Sequence, residues 1–204
     1  MKKQRQSKKK LIIGITGSFA SGKTSVARMF KSYGAYLIDA DKIAHINFKP
    51  GTEAYRKLVK EFGQAILSKG KAVDRGKLAK IVFNNNKLLQ KLNKIIHPAI
   101  IRNIKSRVKH SKKRIIVLDA PLLIEAGLRS IADKLIVVKA NKEIQIKRAI
   151  QKIGISRKEA LQRIRSQMPL SAKVRLADFV IDNNGRIEKS KKQVRAIRRL
   201  LWKS

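Results

Sequence analysis

The junction at Leu11–Thr24 restricts the fold more than any other feature of the chain. Leu11–Thr16 (LIIGIT) is an apolar, β-branched run that ends against a glycine, as a strand buried in a parallel sheet does. It leads directly into Gly17-Ser-Phe-Ala-Ser-Gly22-Lys23-Thr24, which fits G-x-x-x-x-G-K-[ST] at every position. A helical pattern starts at Lys23, so the loop has the strand before it and the helix after it that the motif requires. The glycines let the main chain curl until successive N–H groups converge as a nest for an anion. The helix N-terminus adds its positive partial charge. A loop of this kind predicts ATP and Mg²⁺ as ligands. Gly17, Ser18, Phe19, Ala20, Ser21, Gly22 and Ser25 form the cradle, Lys23 reaches the β- and γ-phosphates, and the Thr24 hydroxyl ligates Mg²⁺. No Asn-Lys-x-Asp for reading guanine is present, which disfavours a GTPase.

The rest of the chain alternates strands with helices. Lys23 to Tyr33 is predicted helical, with Val26, Met29 and Phe30 on one face and Gly34 as the stop. Ala35–Ile38 reads as a second strand, ending in Asp39-Ala-Asp41. Residues 42–113 are helix-rich, with breaks expected at Lys49-Pro-Gly51, Ser68-Lys-Gly70 and His97-Pro98. Arg114–Leu118 and Lys134–Val138 are two more buried strands, and Asn141–Ile153 is helical by period. Ser156-Arg-Lys-Glu159 is a capping box opening a helix through about Met168. Phe179–Ile181 is a short last strand, turned by Asn183-Asn-Gly185. From Arg186 the tail is an amphipathic helix, with Val194, Ile197, Leu200 and Leu201 at helical spacing. This pattern specifies an α/β fold with a doubly wound, parallel, five-stranded sheet. Ligands gather at the carboxyl ends of such strands, which predicts Gly17–Thr24, Asp39–Asp41 and Asp119–Glu125 around one cleft.

At 204 residues the chain suits one α/β domain. No apolar run reaches the ~20 residues of a membrane span, and no signal-type segment follows the basic opening Met1–Lys10. The expectation is a soluble, cytoplasmic protein without membrane contact. Zero cysteines exclude disulfides, thiolate zinc sites and cysteine nucleophiles, and three histidines, at 45, 97 and 110, argue against a histidine metal cluster. Fifty Lys+Arg against 13 Asp+Glu give a net charge of +37, which raises the question of nucleic-acid binding. The basic residues are spread along the whole chain, and only Trp202, three Tyr and six Phe are available for base stacking. The expected consequence is non-specific adhesion to nucleic acid.

With so few acids, those predicted at strand ends carry weight. Transfer of a phosphoryl group to a hydroxyl needs a carboxylate beside the acceptor to orient it and take its proton. Asp39 and Asp41 end the second strand where a γ-phosphate would lie. Asp39 reads equally as the N-cap of the next helix. Asp119 follows a buried strand, as an acid of the Mg²⁺ shell acting through water or as a strand-end cap. Glu125, in Pro121-Leu122-Leu-Ile-Glu125, is either helix surface or a substrate contact.

Taken together, these residues resemble the dephospho-CoA kinase family in order and spacing. The resemblance runs through Gly17–Thr24, Asp39-Ala-Asp41, Gly51-Thr52, Phe62-Gly63, Asp74-Arg75 with Val82-Phe83, and His97-Pro98. It continues through Asp119–Glu125, Gln145 with Arg148, Arg163 with Gln167, Lys173, Ala177-Asp178 and Val180–Gly185. The resemblance implies transfer of the ATP γ-phosphate to the ribose 3′-hydroxyl of dephospho-CoA, the last step of coenzyme A synthesis. It implies a core of about residues 11–44, 113–147 and 173–204, a helical substrate domain at about 45–112 and a lid at about 148–172. The arm 1–10 falls outside it and is expected to be disordered. Asp41 is implied as the base, with Lys23 and the lid residues Arg148, Arg163 and Arg165 on the phosphates. Asp39, His45, His97, Pro121, Leu122, Glu125 and Arg163 are implied at the substrate, in a monomer or small homo-oligomer. His97-Pro98 reads otherwise as a helix break or a packing element. Three departures stand out. His45 replaces an expected arginine, Ser18-Phe19-Ala20 replaces the usual Gly-Ile-Gly, and Ile124 replaces a common Phe. The rivals are another P-loop small-molecule kinase and a nucleic-acid-binding P-loop protein. A pure binding module has no need of Asp39–Asp41 with Pro121–Glu125.

Overall fold

In the computed structural model, residues 10–82 and 85–202 are described. The basic arm before Lys10, and Phe83 among the residues of the resemblance, lie outside them. Five strands form one sheet: β1 (Leu11–Gly17), β2 (Tyr36–Asp39), β3 (Ile115–Asp119), β4 (Lys134–Lys139) and β5 (Phe179–Asp182), in the order β2-β3-β1-β4-β5. β1 pairs in parallel with β3 on one side and β4 on the other, and β4 pairs in parallel with β5. Burial on both faces explains why the central strands read as continuous apolar runs: Ile115–Asp119 is buried at every position, and β4 at all but its ends. The chain order reverses at β1, so the loop leaving its carboxyl end lies at the switch point where such sheets bind ligands.

That loop opens α1 (Lys23–Ser32), which stops at Tyr33 and Gly34, the latter at φ 92. Val26, Ala27 and Phe30 of α1 join Ile13, Ile15, Val117, Ile136 and Val138 in one core cluster. The last helix, α9 (Ile187–Trp202), closes this core with Val194, Ile197 and Leu201, and Trp202 stacks on Phe30 at 6.1 Å. Burying a ring the size of Phe30 contributes about 1.5–3 kcal/mol. Leu200, expected on the same stripe, is 63 % exposed. It lies about a quarter turn off the axis of the buried positions.

The chain divides into two compact units, Met1–Ile38 with Ser111–Ser204, and Asp39–His110. The second unit is helical: α2 (Ala40–Asn47), α3 (Glu53–Phe62), α4 (Arg75–Val82) and α5 (Asn86–His110) surround Leu58, Ile66, Leu78 and Ile104. Asp39 and Thr52 cap α2 and α3, each side chain accepting from an amide three residues on. The expected breaks at Lys49–Gly51 and Ser68–Gly70 are turns. The break expected at His97-Pro98 does not occur, because α5 runs straight through Pro98. Pro98 and Lys94, whose carbonyl the ring deprives of a partner, are both exposed, so water can satisfy that carbonyl. Ile96, Ala99, Ile100 and Ile104 meanwhile hold the helix on its buried side.

The first unit also contains α6 (Lys142–Ile153), α7 (Arg157–Arg165) and a short α8 (Leu170–Arg175) that the sequence pattern did not show. The Ser156–Glu159 capping box forms as read. Its helix ends at Arg165 rather than Met168, because Pro169 disfavours helical geometry at the residue before it.

Candidate active site

The phosphate loop is shaped by what surrounds it. A Cβ on Gly17 would come within 2.5 Å of the Val138 carbonyl oxygen, and one on Gly22 within 2.2 Å of Asn183 Nδ2. Gly22 also has φ 89, in the left-handed region. Ala20 stands at φ 55, so this chain holds a side chain where the backbone favours glycine, at a cost of about 1 kcal/mol. Ser18 and Ser21 are buried, while Ser25 is exposed on the first turn of α1.

Lys23 and Asp119 meet at the loop. Lys23 Nζ lies 3.3 Å from Asp119 Oδ1, with the two side chains only 16 % and 4 % exposed. The same ammonium donates to Thr24 Oγ1 at 3.5 Å. Asp119 Oδ1 is buried and has no hydrogen bond despite its ion pair. A carboxylate this buried is tolerated only beside a charge. Among the described residues no cluster of three His, Asp or Glu could hold a metal by protein ligands alone. Thr24 and Asp119 offer an oxygen-only set, which fits a magnesium ion bound mainly through substrate phosphates and water.

Behind the loop, Arg148 Nη1 donates to the Ser21 carbonyl at 3.3 Å and Nη2 to the Asn183 carbonyl at 2.8 Å. Asn183 Nδ2 donates to the Ser21 carbonyl at 2.7 Å, and the Ser190 hydroxyl donates to Asn183 Oδ1 at 2.8 Å. In front of it, the Phe19 amide donates to Gln167 Oε1 at 2.8 Å, and the Arg163 guanidinium lies 5.4 Å from the Phe19 ring centroid. Phe19 and Ala20 also pack on Ile146, Ala149 and Ala160 of α6 and α7. Glu125 Oε1 accepts from Lys173 Nζ at 2.8 Å and from the Met168 amide at 3.2 Å. Lys173 is fully buried and donates also to the Pro121 carbonyl at 2.9 Å, which accepts Thr16 Oγ1 as well. Leu122 is exposed, and Arg165 projects from the end of α7.

The helical unit carries the remaining predicted residues. Asp39 Oδ1 accepts the Lys42 amide at 3.0 Å as the cap of α2. Asp41 is exposed in the first turn of α2, where the helix dipole favours a negative charge. His45 lies one turn further along the same side, and its ring nitrogen is in contact with the Arg75 guanidinium. His97, on α5, is half-buried, and burial pushes its imidazole pKa down. The predicted residues thus fall into two sets, one in each compact unit.

Sequence reasoning missed Ser190. The available signal was a hydroxyl on the buried stripe of an amphipathic helix, in line with Val194, Ile197 and Leu201. Gln167 and Lys173 stand out by the resemblance alone, with no role attached, and Asn183 by the resemblance and as part of the turn Asn183-Asn-Gly185.

A parallel sheet reversing at β1, with a glycine–lysine loop feeding α1, defines a P-loop α/β protein of the kinase type. Comparison narrows the class. The dephospho-CoA kinase family model matches residues 11–189. The dephospho-CoA kinase of Carboxydothermus hydrogenoformans is 46% identical over 196 residues, covering 94% of this chain and 95% of that one. A crystal structure from Thermus thermophilus superposes with a TM-score of 0.85 at 30% identity, covering 96% of this chain and 98% of that one. The dephospho-CoA kinase from Campylobacter jejuni gives 0.67 at 29% identity, with 94% and 97% covered. The chain belongs to the dephospho-CoA kinase family.

Proposed function

We propose that the protein transfers the γ-phosphate of ATP to the ribose 3′-hydroxyl of dephospho-CoA, yielding coenzyme A and ADP. The observation that carries this reading is the Gly17–Thr24 loop, with Lys23 against a buried Asp119, inside a family match spanning residues 11–189. In the reaction the acceptor oxygen bonds to the γ-phosphorus, the bond to the bridging oxygen of ADP breaks, and the 3′-hydroxyl proton leaves to a carboxylate.

Asp41 is the proposed base. It is the second acid of Asp39-Ala-Asp41, the position that the family resemblance implies for the base, while Asp39 caps α2. Lys23 and the loop amides neutralise the charge on the transferring group. Thr24 directly, and Asp119 through water, would hold Mg²⁺, which when bound screens the phosphate oxygens. Arg163 and Arg165 on α7 are proposed to close over the phosphates as part of a lid. Arg148 supports the loop from the other side. His45, His97, Pro121, Leu122 and Glu125 are proposed at the acceptor. Of these, Glu125 and the Pro121 carbonyl are held in place by Lys173. Among the described residues no helix is long and apolar enough to cross a membrane. The reading includes a cytoplasmic enzyme, monomeric or a small homo-oligomer, whose charge causes only non-specific adhesion to nucleic acid.

An acceptor panel tests the proposal. With ATP, ADP should form only when dephospho-CoA is present, and the product should carry one added phosphoryl group on the ribose 3′-oxygen by mass spectrometry and phosphorus NMR. Phosphorylation of a nucleoside or of shikimate, with dephospho-CoA untouched, would overturn it.

A further inference from the structure

The main chain after β5 is fixed by two bonds, the Asn183 amide donating to the Lys139 carbonyl at 2.9 Å and its carbonyl accepting Arg148 Nη2 at 2.8 Å. The Asn183 side chain, only 6 % exposed, therefore has one place to go. It fills the space next to Gly22 where a Cβ would stand. Its orientation follows from the partners. The Ser21 carbonyl can only accept, so the amide nitrogen must face it. The remaining amide oxygen then faces Ser190, whose hydroxyl is fully buried and donates to it.

We infer that Asn183 is a positioning residue for phosphate binding, acting by setting the orientation of the Ser21–Gly22 peptide unit. A peptide unit is planar and trans, so its C=O and N–H point in opposite directions. Drawing the Ser21 oxygen toward Asn183 Nδ2 and Arg148 Nη1 turns the Gly22 N–H away from both, toward the side where the nest receives phosphate. If the unit rotated, a carbonyl oxygen would face the phosphates and repel them. The left-handed φ of Gly22 is the conformation in which this orientation runs on into α1. Ser190 acts one step back, by holding the amide from flipping. The inference rests on the reading that this loop binds the nucleotide.

Calorimetry with ADP on the full chain tests it, together with KM for ATP and for dephospho-CoA. Asn183→Ala should weaken ADP binding about tenfold, the size of one well-placed hydrogen bond, and raise the KM for ATP while that for dephospho-CoA stays put. Asn183→Asp keeps the shape but sets an acceptor against the Ser21 carbonyl, so it should weaken binding at least as much. Ser190→Ala should act in the same direction by about threefold, and it keeps the test open should Asn183→Ala fold poorly. Wild-type ADP affinity in Asn183→Asp would show that the side chain only fills space. Equal rises in both KM values would show a general loss of structure. Either result overturns the inference and leaves the functional proposal standing, whereas a wild-type chain that binds no ADP would overturn both.

Discussion

The phosphate loop and the carboxylate helix α2 are built on opposite plans. The loop is supported from behind by Arg148 and Asn183 and in front by Gln167, and its two signature glycines leave no room for a side chain. Asp41 stands exposed on a helix of eight residues, beside an aspartate occupied with capping. Phosphate recognition depends on main-chain direction, which the fold can fix before any ligand arrives. An acceptor contact depends on side chains at a surface, which take their final geometry with the substrate. The loop is made in advance, whereas a surface carboxylate is completed by its ligand.

If this contrast holds, the largest effect belongs to the loop. Lys23→Ala should lower kcat by about 10²–10³-fold and release Asp119 from its only ion partner among the described residues, so steady-state kinetics should be paired with a thermal melt. Wild-type turnover would break the contrast at once. Next comes the strain at Ala20. Ala20→Gly relieves the left-handed conformation but adds freedom to the unfolded chain, for a net gain of about 0.5 kcal/mol, or roughly 1–2 °C in Tm. A fall in Tm would mean that φ 55 is comfortable for alanine here. The smallest effect lies in the helical unit. Burial depresses the His97 pKa below its ordinary 6.5, so the unfolded chain takes up the proton first. The stability tied to the neutral ring is present above about pH 6.5 and is lost as pH falls through the folded value. Melts of His97→Gln should show a shallower decline on acidification than the wild type, and parallel curves would remove His97 from the account.

The same contrast governs what could be read from the sequence. The loop was legible because a backbone device demands glycine at fixed places, and Gly17 and Gly22 are where close approach and φ require them. The three central strands were legible because burial on both faces leaves a plain apolar signature. Pro98 misled because a proline on the exposed side of a well-packed helix costs one bond that water replaces. The end of α7 was misplaced because the capping box states where a helix starts, while its stop depended on Pro169. Ser190 offered only a hydroxyl on a buried stripe, because what it does depends on Asn183, which the chain reaches from another element.

In the proposed reaction grip and chemistry are separate, with the loop holding ATP and Asp41 taking the proton. Asp41→Asn, assayed by ADP calorimetry and by transfer to dephospho-CoA on the same preparation, tests it most directly. Nucleotide affinity should stay unchanged, with kcat reduced by about 10²–10⁴-fold. Full transfer activity in Asp41→Asn, or a nucleotide affinity that falls in step with turnover, would contradict it.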